Sequence, residues 1–131
     1  MRFLLDTNVV IALLNDATPK LARRARREKP ADIAISAIVA HELFYGAFKS
    51  QRATQNVASI DNLQFEVLEF DKEDARQAGE VRALLAARGT PIGPYDVLIA
   101  GQAKSRNLIL VTNNTVEFGR VPGLRVDDWQ D

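Results

Sequence analysis

The chain has 131 residues, 47% of them hydrophobic, and a formal net charge of zero, so one domain with an apolar core fits and two ordinary domains do not. It contains no cysteine and one histidine, which excludes disulfides, thiolate metal sites and multi-histidine zinc sites. The first residues lack a basic stretch and a small-residue cleavage site, and no apolar segment approaches about 18 residues. We expect a soluble, cytoplasmic, single-domain protein over residues 1–131.

Short apolar runs along the chain predict strands. They lie at residues 2–5, 32–36, 65–70 and 108–112, with a weaker one at 124–126. Each run is bounded by polar or turn-forming residues and is too short for a helix. We expect these strands to be short and buried.

Helical patterns fill the intervals between the predicted strands. They cover residues 8–14, 20–29, 37–49, 54–63, a long stretch from Asp71 to Gly89, and 94–105. Ser36 and Asp71 are candidate N-caps, and Pro94 stands at a first-turn position. Short strands alternating with helices predict an α/β fold, with a mainly parallel central sheet and helices on both faces.

Four acids stand at positions where parallel α/β folds collect ligands, near the carboxyl ends of strands. Asp6 follows the first strand, Asp96 lies in the first turn of the last predicted helix, and Glu117 comes five residues after the strand at 108–112. Glu42 lies inside a helix and projects from its apolar stripe. Taken singly, each has an ordinary explanation: a cap or helix-dipole partner for the two aspartates, a buried salt bridge for Glu42, and the surface for Glu117.

Taken together, the four carboxylates predict a metal site. Clustered acids repel one another and lose hydration, which raises their pKa values unless a hard divalent cation neutralises them. Oxygen ligands favour Mg²⁺ or Mn²⁺ over zinc. Asp6 and Asp96 are the candidate principal metal ligands. No nucleophilic triad is evident, so the site indicates phosphate chemistry with a metal-activated water.

Polar residues at the predicted strand-to-helix turns complete this site. Thr7, Asn8, Thr112 and Asn114 are placed to orient a carboxylate or a metal-bound water, or to form turns and caps. His41 adjoins Glu42 but points about 100° away around the helix, which favours a surface or packing role over that of a general base.

Four sequence blocks resemble a known family. In order they are LLDTNVVIALL, ISAIVAHELFYGA, PIGPYDVLIA and LVTNNTVEF, and the likeness continues to the terminal LRVDDW. They resemble the VapC toxins, the PIN-domain ribonucleases of type II toxin–antitoxin modules. The resemblance implies a PIN-like fold and catalytic acids at Asp6, Glu42, Asp96 and Glu117. This chain departs from the family at one of these positions, because many members have an aspartate where it has Glu117. We therefore expect Glu117 to act through water instead of contacting the metal.

The same resemblance implies a function and partners. It implies magnesium-dependent endonucleolytic cleavage of RNA, a homodimer, and inhibition by a small VapB antitoxin whose C-terminal segment lies along the active-site groove. It further implies that the toxin–antitoxin complex binds operator DNA, mainly through the antitoxin. The blocks PIGPYD and TNNTVEF are most similar to the branch that cuts initiator transfer RNA in the anticodon loop.

Two other functions remain as alternatives. A haloacid-dehalogenase-like phosphatase also begins with an aspartate after an apolar strand, but it needs a second aspartate two residues later, where this chain has Asn8. A PIN-like scaffold that binds RNA or protein without cutting is the second alternative, and the presence of all four acids argues against it.

The basic stretch KLARRARREK, residues 20–29, is a candidate RNA-binding surface, because an acidic site needs cations nearby to attract RNA. With about 100° between successive residues, Arg23, Arg26 and Arg27 share one side of the helix and Arg24 turns partly away. The short connection through Pro19 predicts that this helix lies at the same end of the sheet as Asp6. The alternative is an ordinary solvated helix face.

An apolar surface is predicted for the antitoxin. The short helices carry more large side chains than so small a core readily absorbs, and exposed apolar patches usually mark partner sites. The candidate residues are Ala12, Leu13, Phe44, Tyr45 and Phe48. Ordinary core packing is the alternative for each of them.

Overall fold

Five short parallel strands form a central sheet in the computed structural model, which describes residues 1–16 and 18–130. The strands are β1 (Phe3–Leu5), β2 (Ile33–Ser36), β3 (Glu66–Leu68), β4 (Ile109–Val111) and β5 (Val126–Asp127). Their order is β3-β2-β1-β4-β5, and each neighbouring pair is parallel. The predicted parallel sheet is confirmed. The predicted domain also includes Ala17 and Asp131, which lie outside the described residues.

The helices follow the predicted order with small shifts at their ends. They are α1 (Thr7–Leu14), α2 (Pro19–Arg26), α3 (Ala37–Phe48), α4 (Ala53–Asp61), α5 (Lys72–Ala87), α6 (Pro94–Ser105) and α7 (Thr115–Phe118). The sequence pattern does not predict α7, because a single turn is too short to show an apolar period. Among the described residues, none of the helices has the length and apolar character needed to cross a membrane.

The direction of strand addition reverses at β1. The chain places β2 and β3 on one side of β1 and then returns to place β4 and β5 on the other. With right-handed crossovers, α1 to α4 cover one face of the sheet and α5 to α7 cover the opposite face. The carboxyl edge between β1 and β4 is therefore a topological switch point, where α/β folds form ligand crevices.

The strands in the middle of the sheet are apolar and buried, whereas the outer strand β3 is partly exposed. Residues 3–5 and 33–35 are buried without alternation, as expected of parallel strands covered on both faces. In β3, Glu66 is exposed and Val67 is 50% exposed. The prediction of a buried strand at 65–70 is wrong for these two residues because β3 lies at the edge of the sheet.

The basic helix α2 ends near the amino end of β1. The Arg24 guanidinium lies 5.8 Å from the ring centroid of Phe3, the first residue of β1, and Arg2 forms an ion pair with Glu28. The prediction that α2 lies at the Asp6 end is therefore wrong for the end of this helix, although Arg24 also pairs with Asp127, which lies level with Val111 at the carboxyl edge. The reason is topological, since the chain must return to the amino edge of the sheet to begin a parallel β2.

Candidate active site

Asp6 stands between β1 and α1 at the carboxyl edge of the sheet and is only 5% exposed. Its Oδ1 accepts a 2.7 Å hydrogen bond from the Thr7 N–H, which makes Asp6 the N-cap of α1. Its Oδ2 accepts a 2.7 Å bond from the Thr112 hydroxyl. Burial raises the pKa of Asp6, although both hydrogen bonds oppose the rise. Helix capping accounts for the hydrogen bond at Oδ1, whereas Oδ2 points to Thr112 at the end of β4.

Thr112 fixes the orientation of Asp6. It follows β4 and is fully buried, and its hydroxyl accepts a 3.0 Å hydrogen bond from the Asn114 N–H. That contact leaves the hydroxyl proton directed at Asp6. The Asp6 N–H also donates to the Val111 carbonyl at 2.9 Å, so the adjacent ends of β1 and β4 are tied together.

Glu42 reaches the same edge from α3. This helix begins where β2 ends, with the Ser36 hydroxyl accepting from the Ile38 N–H at 3.0 Å. The half-buried Glu42 accepts a 2.9 Å hydrogen bond at Oε1 from the Thr7 hydroxyl. It forms no ion pair within residues 1–16 and 18–130, so the salt-bridge alternative is not met there.

Glu117 comes from the one-turn helix α7 and is half-buried. Its Oε2 accepts a 3.0 Å hydrogen bond from the Asn114 side-chain amide. Thus Thr7, Thr112 and Asn114 each hold one acid. Asn8 differs from them because it is exposed and, in the described part of the chain, bonds to none of the four acids.

Asp96 lies in the first turn of α6, which Pro94 opens, and is half-buried. Burial, followed by the charges of Asp6, Glu117 and Glu42, raises the pKa of Asp96 to about 6. No hydrogen-bond donor among the described residues compensates this carboxylate. The four acids therefore lie close enough for their charges to interact. The charges of the other three disfavour ionisation of Asp96.

The donor set fits a hard cation. Carboxylate oxygens are the ligands that Mg²⁺ prefers, and a cation here would offset the repulsion felt by Asp96. Gly93 leaves space in front of this carboxylate, because a Cβ there would lie 3.1 Å from Asp96 Oδ2. No group of three His, Asp or Glu side chains within the described ranges is already arranged to hold a metal ion. Three of the acids instead engage the hydroxyl and amide donors named above.

An open groove runs beside the acids, with Glu42 in its wall. It is also lined by Tyr45 from α3, by Lys49 at the C-cap of that helix, and by Tyr95 from α6. His41 is exposed and packs against Tyr95, with ring centroids 5.8 Å apart. Sequence reasoning missed Tyr95 and Lys49. The position of Tyr95 next to Asp96 in a Pro-initiated first turn is the signal that points to it.

The five residues predicted to contact the antitoxin differ in their exposure. Tyr45 and Phe48 are 61% and 68% exposed, and Phe44 is half-buried with its ring centroid 6.4 Å from that of Phe48. Ala12 and Leu13 are half-buried and pack against the core. Leu13 lines a groove with Leu63 and Phe65, which differs from the groove that Tyr45 lines. The side chains of successive residues on a helix point in different directions, so Ala12 and Leu13 do not share one face of α1.

The basic residues of α2 are also divided. Arg23 and Arg27 are exposed and line a groove with Lys20, whereas Arg26 is exposed toward a different groove. Arg24 forms ion pairs with Glu28 and Asp127 and lies 4.8 Å from the Trp129 ring. Arg24 is thus engaged within the fold, yet it lines the same groove as Arg23 and Arg27. The prediction that Arg26 shares their side of the helix and that Arg24 turns away is therefore wrong, because Arg26 is the residue that lines a different groove.

Comparison with known families agrees with this architecture. The model of the PIN domain family matches residues 3–124, which spans all four acids and every strand except the end of the sheet at β5. The class of protein defined by the fold and the site is therefore the PIN domain.

Relatives narrow this class. Proteins named tRNA(fMet)-specific endonuclease VapC from Salmonella typhimurium and Shigella flexneri are 43% and 44% identical, with 98% of each chain covered. A DNA-bound VapBC crystal structure from Salmonella typhimurium superposes with a TM-score of 0.94 at 42% identity over 98% of both chains. VapBC2 from Rickettsia felis, bound to a promoter DNA fragment, gives 0.90 at 34% identity, covering 98% of this chain and 99% of that one.

The chain belongs to the VapC family of PIN-domain ribonucleases. This membership removes the haloacid-dehalogenase-like phosphatase from consideration. PIN-domain ribonucleases are generally metal-dependent, in agreement with the oxygen-rich donor set.

Proposed function

We propose that this protein is a magnesium-dependent endoribonuclease that acts as the toxin of a type II toxin–antitoxin module. The observation that carries the proposal is the environment of the Asp96 carboxyl at the switch point of the sheet. Burial and the charges of three neighbouring acids raise the pKa of this group to about 6. Such a cluster is costly without a cation and favourable with one. Oxygen-only ligands favour Mg²⁺, with Mn²⁺ as a substitute. The VapC relatives, named as endonucleases and ribonucleases, support the RNA-cleaving activity.

The four acids have distinct roles in this proposal. Asp6 and Asp96 hold the cation, Glu42 extends the negative pocket, and Glu117 acts through water. When bound, Mg²⁺ supplies Lewis-acid stabilisation of the charge that develops on the phosphodiester and lowers the pKa of the attacking water.

The hydrogen-bonded side chains around the acids keep the pocket preorganised. Thr112 orients Asp6, Thr7 orients Glu42, and Asn114 orients Glu117. Loss of a side chain that orients a ligand in this way typically lowers metal affinity or activity about 10- to 100-fold. His41 is given no part in the reaction, because its ring packs against Tyr95 and its position on the helix is about 100° from that of Glu42.

Substitution of the principal ligands tests the site. Asp6→Asn and Asp96→Asn keep the shape of the side chain and remove its charge, so cleavage of RNA in Mg²⁺ should fall at least about 100-fold while the protein stays folded. Circular dichroism and thermal unfolding verify the fold. An Asp96→Asn protein that cuts RNA at the wild-type rate would refute the site. A wild-type protein that binds RNA without cutting it in Mg²⁺ or Mn²⁺ would favour the scaffold alternative.

The proposed substrate is initiator transfer RNA, cut in the anticodon loop. The two VapC relatives at 43% and 44% identity carry tRNA(fMet) in their names. Brief induction in cells, followed by mapping of new RNA 5′ ends beside an Asp6→Asn control, should give one dominant cut in that loop. Ends that accumulate in other RNAs would replace this substrate without changing the class of enzyme.

The proposed partners are a VapB-type antitoxin, a second copy of the chain, and operator DNA bound through the antitoxin complex in the cytoplasm. The VapBC structures from Salmonella typhimurium and Rickettsia felis, both bound to DNA, support the antitoxin and the DNA. Of the residues predicted for antitoxin docking, Tyr45 and Phe48 are exposed enough to contact a partner. The other three are partly buried against the core and offer a partner less surface; they are Ala12, Leu13 and Phe44. Calorimetry with Phe48→Ala should show weaker antitoxin binding, and unchanged affinity in both Phe48→Ala and Tyr45→Ala would move the docking site elsewhere.

A further inference from the structure

Two exposed tyrosines flank the groove beside the acids. Tyr45 is 61% exposed and Tyr95 is 46% exposed, and both line a groove of about 710 Å³ whose wall includes Glu42. Tyr95 directly precedes Asp96, and Tyr45 lies one helical turn after Glu42 on α3. Each ring is therefore adjacent along its own helix to a candidate catalytic carboxylate, and neither ring is needed by the core.

Each ring has a neighbouring side chain packed against it. The His41 ring meets the Tyr95 ring edge to face, with centroids 5.8 Å apart and planes at 61°. The Lys49 ammonium lies 4.9 Å from the centroid of Tyr45. His41, Tyr45 and Lys49 recur at four-residue intervals, so they form one row along α3 and its C-cap, Lys49. Rings held in this way can stack on another planar group at little cost in conformational entropy.

The charges of the groove favour a nucleic acid over an apolar ligand. Lys49 is a cation placed beside an aromatic ring, close to a pocket of four acids that would otherwise repel a phosphate backbone. Aromatic faces combined with a nearby cation are the usual means by which proteins bind unpaired nucleotides.

We infer that Tyr45 and Tyr95 form a base-stacking platform for unpaired nucleotides next to the scissile phosphate, with Lys49 contacting an adjacent phosphate. The inference rests on the proposed function and adds the residues that would bind the unpaired nucleotides of its substrate. A base can stack on a side chain only after leaving its own helix, so the platform selects loops and single strands and rejects paired RNA. Every base has a π-face, and the platform therefore reads strandedness and not base identity.

Binding measured without divalent metal tests the platform independently of cleavage. The probe is the anticodon stem-loop of initiator transfer RNA carrying 2-aminopurine in the loop, with a fully paired duplex of the same length as the reference. In EDTA, Tyr45→Leu and Tyr95→Leu should each weaken loop binding about 5- to 100-fold and reduce quenching of the probe. Tyr45→Phe and Tyr95→Phe should retain both, because they keep the ring. Leu84→Ala, at an exposed apolar position on α5, is the matched control and should bind as wild type.

An abasic loop gives a second, mutation-free readout. Wild-type protein should bind a loop that lacks the stacked base about as weakly as a Leu variant binds the intact loop. The affinity of the Leu variants should fall little further when the abasic loop replaces the intact one. Leu variants that bind the intact loop like wild type would overturn the platform. A loss of antitoxin affinity with unchanged RNA affinity would also overturn it, since the rings would then belong to the antitoxin face. Tyrosine-dependent loop binding by a protein that never cuts in Mg²⁺ would overturn the proposed function alone.

Discussion

The hydroxyl of Thr112 donates a 2.7 Å hydrogen bond to Oδ2 of Asp6, joining residues 106 positions apart in the chain. Both groups are buried at the adjacent ends of β1 and β4. The bond fixes one carboxylate of the acid cluster in a direction that its role as a helix cap does not require.

Replacement of Thr112 by valine should therefore impair the site while preserving its shape. Valine removes the hydroxyl that orients Asp6, and loss of such an orienting partner typically lowers metal affinity or activity about 10- to 100-fold. Thr112→Ser keeps the donor and should stay close to wild type. The Mg²⁺ dependence of RNA cleavage provides the measurement, with thermal unfolding as the check on folding. Equal activity in the valine and serine variants would show that this hydrogen bond is not needed.

The metal-free protein should lose stability as pH rises from about 4 to about 6. The pKa of Asp96 is about 6 in the folded protein against 3.8 for an ordinary aspartate, so in this interval the folded state holds more protons than the unfolded state. Stability falls with pH wherever the folded state binds the excess protons. Burial also raises the pKa of Asp6, which acts in the same direction. Solvent screening around the half-buried Asp96 limits its effect to about 1–2 kcal/mol.

Urea unfolding in EDTA at a series of pH values measures this effect, and Asp96→Asn is its control. The variant should depend less on pH than wild type and should be the more stable of the two at pH 7. Adding Mg²⁺ at pH 7 should stabilise wild type more than the variant, because a ligand that binds only the folded state raises its stability. Identical pH profiles for the two proteins would contradict the strained-carboxyl interpretation.

The contact between α5 and α6 should be intolerant of a single added methyl group. A Cβ at Gly101 would lie 2.4 Å from the Ala78 Cα, so Gly101→Ala must push the two backbones apart at a cost of about 1–3 kcal/mol or more. Gly79, one residue further along α5, has no atom within 4 Å of such a Cβ. Gly79→Ala should stabilise by about 0.5–1 kcal/mol through better helix propensity. Denaturant unfolding of both variants tests the contrast, and equal effects would show that the helices pack less closely.

Replacement of Arg23 and Arg27 by glutamine should weaken binding to all RNAs similarly and flatten its salt dependence. These two side chains line one groove with Lys20, so they are placed to meet one backbone, whereas Arg26 faces elsewhere. The salt slope should fall by about 1 for each lost phosphate contact. The position of the cut should not change, because phosphate contacts carry no sequence information. Filter binding over a salt series is the measurement. A triple variant that includes Arg26→Gln and still binds like wild type would assign α2 to an ordinary solvated surface.

The sequence predicted the parts of this protein that depend on local pattern. Unbroken apolar runs gave the strands, the helical period gave the larger helices, and parallel topology brought Asp6 and Glu42 to one edge. The apolar pattern failed to predict α7, which is only one turn long. It also predicted too much burial for β3, which lies at the edge of the sheet. It also misplaced the end of α2, because helix orientation follows from the edge at which the next strand begins.

Only the tertiary structure decided which donor binds which acid and how each contact changes the chemistry of the carboxylate. The bonds from Thr112 to Asp6 and from Thr7 to Glu42 join residues distant in sequence, and they exist because β4 lies beside β1 and α3 packs against α1. The raised pKa of Asp96 likewise requires three other carboxylates to lie close enough to repel it. Residue type and helical period restrict where such groups can lie along the chain. Charge repulsion and burial depend on distances through space, which the arrangement of the strands sets.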